Sequence, residues 1–205
     1  MIVEQIPNVI YTSNTYKIVI DKSVWLVDIG NAKPVIDTLK RDEQVQGVFI
    51  THSHYDHIHG INALAELFPN CIFYASAETL KGLYDVKLNL SFYHEQPIAY
   101  QGDNTIAISH LEEINLRDGF SVKAYYTPGH NPGSMTFQLE KYLFTGDSFI
   151  PGTPVVTKLK GGNKEENEKS LALIHELIKE RTQVCPGHGL VHSGKEALPF
   201  LQKYA

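Results

Sequence analysis

At 205 residues, 42% hydrophobic and 20% charged, the chain is long enough for one sizeable domain and needs no disulfide staples. Its 18 basic and 23 acidic residues leave a formal charge of −5, which gives no electrostatic reason to seek nucleic acid or an anionic membrane. The two cysteines, Cys71 and Cys185, fit a reducing compartment; the start MIVEQIPNVIY lacks the flanks and apolar run of a secretory signal, and no stretch reaches the ~18 apolar residues of a membrane span. A cytoplasmic protein without membrane association is therefore expected.

Residues 15–21 and 23–30 are rich in β-branched and aromatic side chains around Asp21-Lys22 and read as a hairpin. Pro34 opens a helix that places Val35, Ile36 and Leu39 on one face. Residues 47–52 form a short buried strand, Ile61, Leu64, Ala65 and Phe68 have helical spacing, and Pro69-Asn70 ends that helix. A strand over 71–76 follows, then a stretch from 81 to 104 with mixed signals, read as loops and a short helix. Strand patterns resume at 105–109, 120–127, 135–139 and 142–147. Asn163 caps a helix over 164–181 with the stripe Leu171, Ile174, Leu177 and Ile178. A strand over 182–188 and a short helix after Gly194 close the chain. The order predicts an α/β architecture, an αββα sandwich of two mixed sheets with flanking helices, as a single domain over 1–205.

Ten histidines are unevenly spread, and four of them, His52, His54, His57 and His59, fall within T-H-S-H-Y-D-H-I-H-G together with Asp56. Several imidazoles this close repel when protonated, and a bound divalent ion offsets that cost, because neutral imidazole and carboxylate are good ligands for it. The cluster follows an apolar strand, so His52 and His54, two apart in extended chain, point the same way. Asp56 and His57 can reach a second ion. Three more strands deliver a polar residue onto a Gly-bearing turn: His130 in Y-Y-T-P-G-H, Asp147 in Y-L-F-T-G-D and His188 in V-C-P-G-H-G. Four such strand ends make one rim of a sandwich the candidate active face.

H-x-H-x-D-H, the His after T-P-G, G-D and P-G-H-G together resemble the metallo-β-lactamase-fold hydrolase superfamily. T-P-G-H-x-P-G-S and F-T-G-D are most similar to its glyoxalase II (hydroxyacylglutathione hydrolase) branch. The resemblance implies that His52, His54 and His130 hold one divalent ion, that Asp56, His57 and His188 hold a second, and that Asp147 bridges them. It implies an enzyme, a dinuclear hydrolase whose metal-bridging hydroxide cleaves a small ester, thioester or lactone. Asp56 would also orient that hydroxide. The nitrogen and oxygen ligands suit zinc first, with iron or manganese also compatible. Only seventeen residues follow His188, so the C-terminal helical domain of glyoxalase II is expected to be missing, which puts glutathione thioesters in doubt. Asp147 argues against a true β-lactamase, whose branches lack that bridging aspartate.

An alternative on the same scaffold is a persulfide dioxygenase-like oxidoreductase with one non-haem iron held by His52, His130 and Asp147. A metal-stabilised, non-catalytic scaffold is a third reading, disfavoured by the complete ligand set. The partner expected is a small molecule, and nothing in the sequence fixes an oligomeric state. Asp28 is expected to lie beneath the site and bond a ligand or loop. Cys71, Cys185 and His175 read as structural, His59 as a neighbour of the ligands, His192 as a residue that can touch substrate, Lys158 as solvated surface, and one of Tyr125 and Tyr126 as core.

Overall fold

A computed structural model describes residues 1–204; Ala205, the last residue of the expected 1–205 domain, lies outside the described residues. The chain divides into two compact units, 1–107 and 108–205. Each holds one six-stranded mixed sheet with helices, the two mixed sheets and flanking helices that the element order predicts.

In the first unit, β1 (Ile2–Pro7), β2 (Asn14–Ile20) and β3 (Ser23–Val27) pair antiparallel, and the β2–β3 turn places Asp21 at a left-handed φ of 55°. The sheet then becomes parallel through β4 (Gln44–Phe49), β5 (Ile72–Ala75) and β6 (Thr105–Ala107). Every residue of β2 and β3 is buried, as expected of strands covered on both faces. On one face Val24, Leu26, Val48 and Phe73 form a core with Val35 of α1 (Ala32–Asp37) and Ile61 and Leu64 of α3 (Ile61–Leu67). The opposite face carries a stack of Trp25, Phe49 and Tyr74, with Phe49 5.9 Å from Trp25 and 5.1 Å from Tyr74. Phe49 is fully buried, and Phe49→Ala is expected to cost about 3–5 kcal/mol, read as a lowered midpoint in urea unfolding with an unchanged slope.

Between β4 and α3 lies the single turn α2 (Tyr55–Ile58). The region of mixed signals, expected to hold loops and a short helix, opens on the end of α4 (Ala77–Leu83), capped by the Ser76 hydroxyl on Thr79 N, and contains a 3-10 turn at Ser91–Tyr93. The strand β1 was not singled out.

In the second unit, β7 (Glu113–Arg117), β8 (Phe120–Tyr126), β9 (Met135–Leu139) and β10 (Tyr142–Gly146) form an antiparallel run. The sheet continues with β11 (Gln183–Pro186), parallel to β10, and β12 (His192–Ser193). The helix α5 (Lys164–Leu177) starts where expected: Asn163 Oδ1 accepts from Glu165 N and Glu166 N. It stops four residues earlier than the expected end at Arg181. Ile178 is extended because Lys179 N turns to Thr182 Oγ1 at 2.9 Å, which redirects the chain into β11. Ile178 stays buried with Leu143, Leu171, Ile174 and Val184. The short α6 (Gly194–Ala197) has a full capping box of Ser193 and Glu196. Tyr125 is buried and Tyr126 is exposed, so one of the pair is core, as expected. Among the described residues, no helix is long and apolar enough to cross a membrane.

Candidate metal centre

In the first unit, parallel pairing of β3 with β4 brings two strand ends to the same edge. The residue after β3 is Asp28, at a left-handed φ of 58°, and its N–H donates to Phe49 O, the last residue of β4. The Asp28 carboxylate, only 2% exposed, accepts from Thr51 N and Thr51 Oγ1, each at 2.7 Å, and faces His57 Nδ1 at 2.8 Å. Burial pushes its pKa up, and the contacts with His57 and Thr51 oppose that rise. A carboxylate on Nδ1 fixes the ring and directs Nε2 outward as a ligand atom. As expected, Asp28 is a buried carboxylate that bonds His57 and the Thr51 loop.

His52, His54 and His57 are all buried, with ring centroids 4.6 Å apart for His52–His54 and 4.2 Å for His52–His57. The ligand atoms of these two pairs, and of Asp56 with His57, lie within 4.8 Å of one another. The loop is held from below: Ile29 N donates to His57 O at 2.8 Å, and Ser13 Oγ to Asp56 O at 2.7 Å. Gly30 is required there, since a Cβ would strike Asp56 O and the Asn8 side chain.

In the second unit, β10 and β11 run parallel, and β8 runs the same way two strands over. Their ends therefore share an edge, and His130, Asp147 and His188 meet there. His130 Nε2 stands 3.6 Å from Asp147 Oδ2, and His188 Nε2 3.5 Å from the same oxygen. The other nitrogen of His130 is 2.8 Å from Val156 O, which orients the ring. Gly129, at φ 129°, packs so closely on the Asn167 backbone that no Cβ fits, and this contact places His130.

These separations test whether the residues suit a metal. At 3.5–3.6 Å the nitrogen–oxygen pairs are too long for hydrogen bonds. They match the roughly 3.4 Å between donors held about 2.1 Å from one tetrahedral ion. His57 Nε2 and Asp56 Oδ2, 3.5 Å apart, have the same spacing. Buried and half-buried imidazoles and carboxylates, with outer nitrogens fixed by Asp28 and by a carbonyl, form a donor set that fits divalent zinc, iron or manganese.

Asp28→Asn is expected to lower metal affinity about 10–100-fold, measured by competition with a chelating dye. Unchanged affinity would show that the Asp28–His57 contact does not tune the ligand.

The other singled-out residues fall where the chemistry suggests. His59 is half-buried against Tyr55, ring centroids 5.0 Å apart, and burial lowers its pKa. His94 stacks on Tyr55 at 4.1 Å, and His110 Nδ1 accepts from Tyr126 N. Cys71 and Cys185 are buried thiols whose pKa values burial raises, Cys71 to about 12. Lys158 is exposed. Sequence reasoning missed Thr51 and the Val156 carbonyl. Thr51, next to His52, carried a weak signal; a backbone carbonyl carries none.

The chain belongs to the metallo-beta-lactamase superfamily, whose pattern it matches over residues 10–188. Its relatives include a hydroxyacylglutathione hydrolase of Klebsiella pneumoniae subsp. pneumoniae, 31% identical over 165 residues, 80% of this chain and 56% of that protein. The chain thus spans about half the length of the hydroxyacylglutathione hydrolases it matches. The crystal structure of BLEG-1 B3 metallo-beta-lactamase superposes with a TM-score of 0.89 at 28% identity, over 98% of this chain and 100% of that one. ETHE1 from Myxococcus xanthus shares the fold, with a TM-score of 0.75 at 23% identity over 97% of this chain and 84% of that one.

Proposed function

We propose that this chain is a dinuclear metal hydrolase acting on a small ester, thioester or lactone. In this reading His52, His54 and His130 would hold one ion, Asp56, His57 and His188 the other, and Asp147 would serve both. The observation that carries it is the convergence of His130 and His188 on one oxygen of Asp147. Two histidines assigned to different ions meet at the single carboxylate assigned to both.

When bound, the ions supply Lewis acidity, which lowers the pKa of a water and polarises a substrate carbonyl. The chain's own residues do the rest. Asp28 and the Val156 carbonyl hold His57 and His130 in their ligating orientations, so little reorganisation accompanies reaction. The Asp56 carboxylate, slightly exposed beside His57, accepts a hydrogen bond from the attacking water and orients it. Zinc is the first choice of metal, the substrate is a small molecule, and the acidic surface and buried thiols favour a cytoplasmic setting without nucleic-acid partners.

The test is a screen of the zinc-loaded protein against a thioester, an aryl ester, a γ-lactone and a β-lactam. Turnover of one of the first three, abolished by chelation, is the expected result. Cleavage of the β-lactam alone would overturn the substrate assignment. Failure on all four, with oxygen uptake on a persulfide, would favour the single-iron dioxygenase reading.

A further inference from the structure

The three ligands of the second unit open onto a cavity of about 330 Å³, within the size range of small-ligand sites. Its wall is built mainly by the loop after β10 and the turn after His188: Ile150, Pro154, Val155, Val156 and Leu190. Among the described residues, no lysine or arginine lines it, and Lys158 is not part of the wall. Besides the ligands, the polar side chains there are Thr153 and His192. Val156 is 51% exposed and Leu190 73% exposed, so two aliphatic side chains stand at the cavity with much of their surface in water. A substrate that covers them gains from burial, and an anionic tail lying on this part of the wall, away from the proposed metal ligands, would find no lysine or arginine to pair with.

Resting on the hydrolase reading above, we propose that this cavity receives an uncharged, apolar substituent of the ester or thioester, and that Val156 and Leu190 make the enzyme select against anionic substituents. The site thereby suits aliphatic acyl or thiol groups, and an anionic peptide-like thiol such as glutathione is a poor fit.

The experiment uses the zinc-loaded protein and two thioester series. In one the acyl group runs from acetyl through butyryl to hexanoyl on N-acetylcysteamine, with succinyl as the anionic comparison. In the other the thiol chain lengthens on a fixed acetyl group. The expected result is a rise in kcat/KM of about fourfold per methylene in one series, with succinyl the poorest acyl group. Leu190→Lys, at a site too exposed to threaten folding, should lower the hexanoyl-to-succinyl ratio about tenfold or more. Rates independent of chain length in both series, or succinyl as good as hexanoyl, would overturn the proposal.

Binding is read separately from turnover, by methyl NMR with hexanamide. Shifts confined to Ile150, Val155, Val156 and Leu190, with none from succinamate at the same concentration, support the pocket assignment even if no thioester is cleaved, in which case the hydrolase reading alone falls. Equal shifts from both probes, or none from hexanamide, would overturn the assignment whatever the enzyme hydrolyses.

Discussion

Asp147→Ala is expected to lower metal content and to reduce turnover by more than the roughly 10–100-fold that loss of a supporting partner costs. Asp147 Oδ2 is the point on which His130 and His188 converge. Removing it deletes the carboxylate proposed to serve both ions and leaves two imidazoles facing each other without the intervening negative charge. The fold should survive: Asp147 is only partly buried, and it follows β10 in a tight turn secured by Ser148 N donating to Thr145 O. The measurements are elemental analysis and steady-state kinetics, with circular dichroism as the folding control. A fully metallated, fully active variant would contradict the assignment of Asp147 as a shared ligand.

The second large effect is expected on stripping metal. Dialysis against a chelator should abolish hydrolysis, and readdition of zinc should restore it. Stability should fall as well, because an ion that binds only the folded chain stabilises it by about 4 kcal/mol when present at about 1,000 times its dissociation constant. Without it, His52, His54 and His57 remain buried side by side, an arrangement that has to be maintained without the interaction that favours it. Lowering the pH should act in the same direction, since these ligands bind metal only when deprotonated. A thermal melt with and without chelator reads the effect. Identical midpoints, with activity retained, would mean that the imidazole cluster is not a metal site.

Much of this was legible in the chain because the site sits on its most apolar strands. The β2–β3 hairpin, the strand into His52, the Tyr142–Gly146 strand into Asp147 and the Gln183–Pro186 strand into His188 are all dominated by β-branched, aromatic and other apolar side chains and lead to a polar residue on a turn. Such a composition is readable because burial on both faces demands it. The missed strands, β1, β7 and the two-residue β12, lie at sheet edges; β1 and β7 are exposed or half-buried except at Ile6 and carry charged side chains, as edge strands do to avoid adding a further strand. Their identity comes from pairing with β2, β8 and β11, a non-local property. The early end of α5 was hidden for a related reason. Ile178 keeps the apolar stripe going in sequence, while the Thr182 hydroxyl has already turned the backbone. At the site, Asp28 could be anticipated beneath the ligands, but its grip on Thr51 and the carbonyl of Val156 against His130 exist only once the loops have folded.

The central claim, that seven side chains hold two ions for hydrolysis, is tested most directly by metal stoichiometry. Protein purified without chelator or a nickel column is assayed by elemental mass spectrometry alongside oxygen uptake. Two zinc or other first-row ions per chain and no oxygen consumption are expected. One iron per chain with persulfide-dependent oxygen uptake would contradict that claim and assign His52, His130 and Asp147 to a mononuclear oxidative centre.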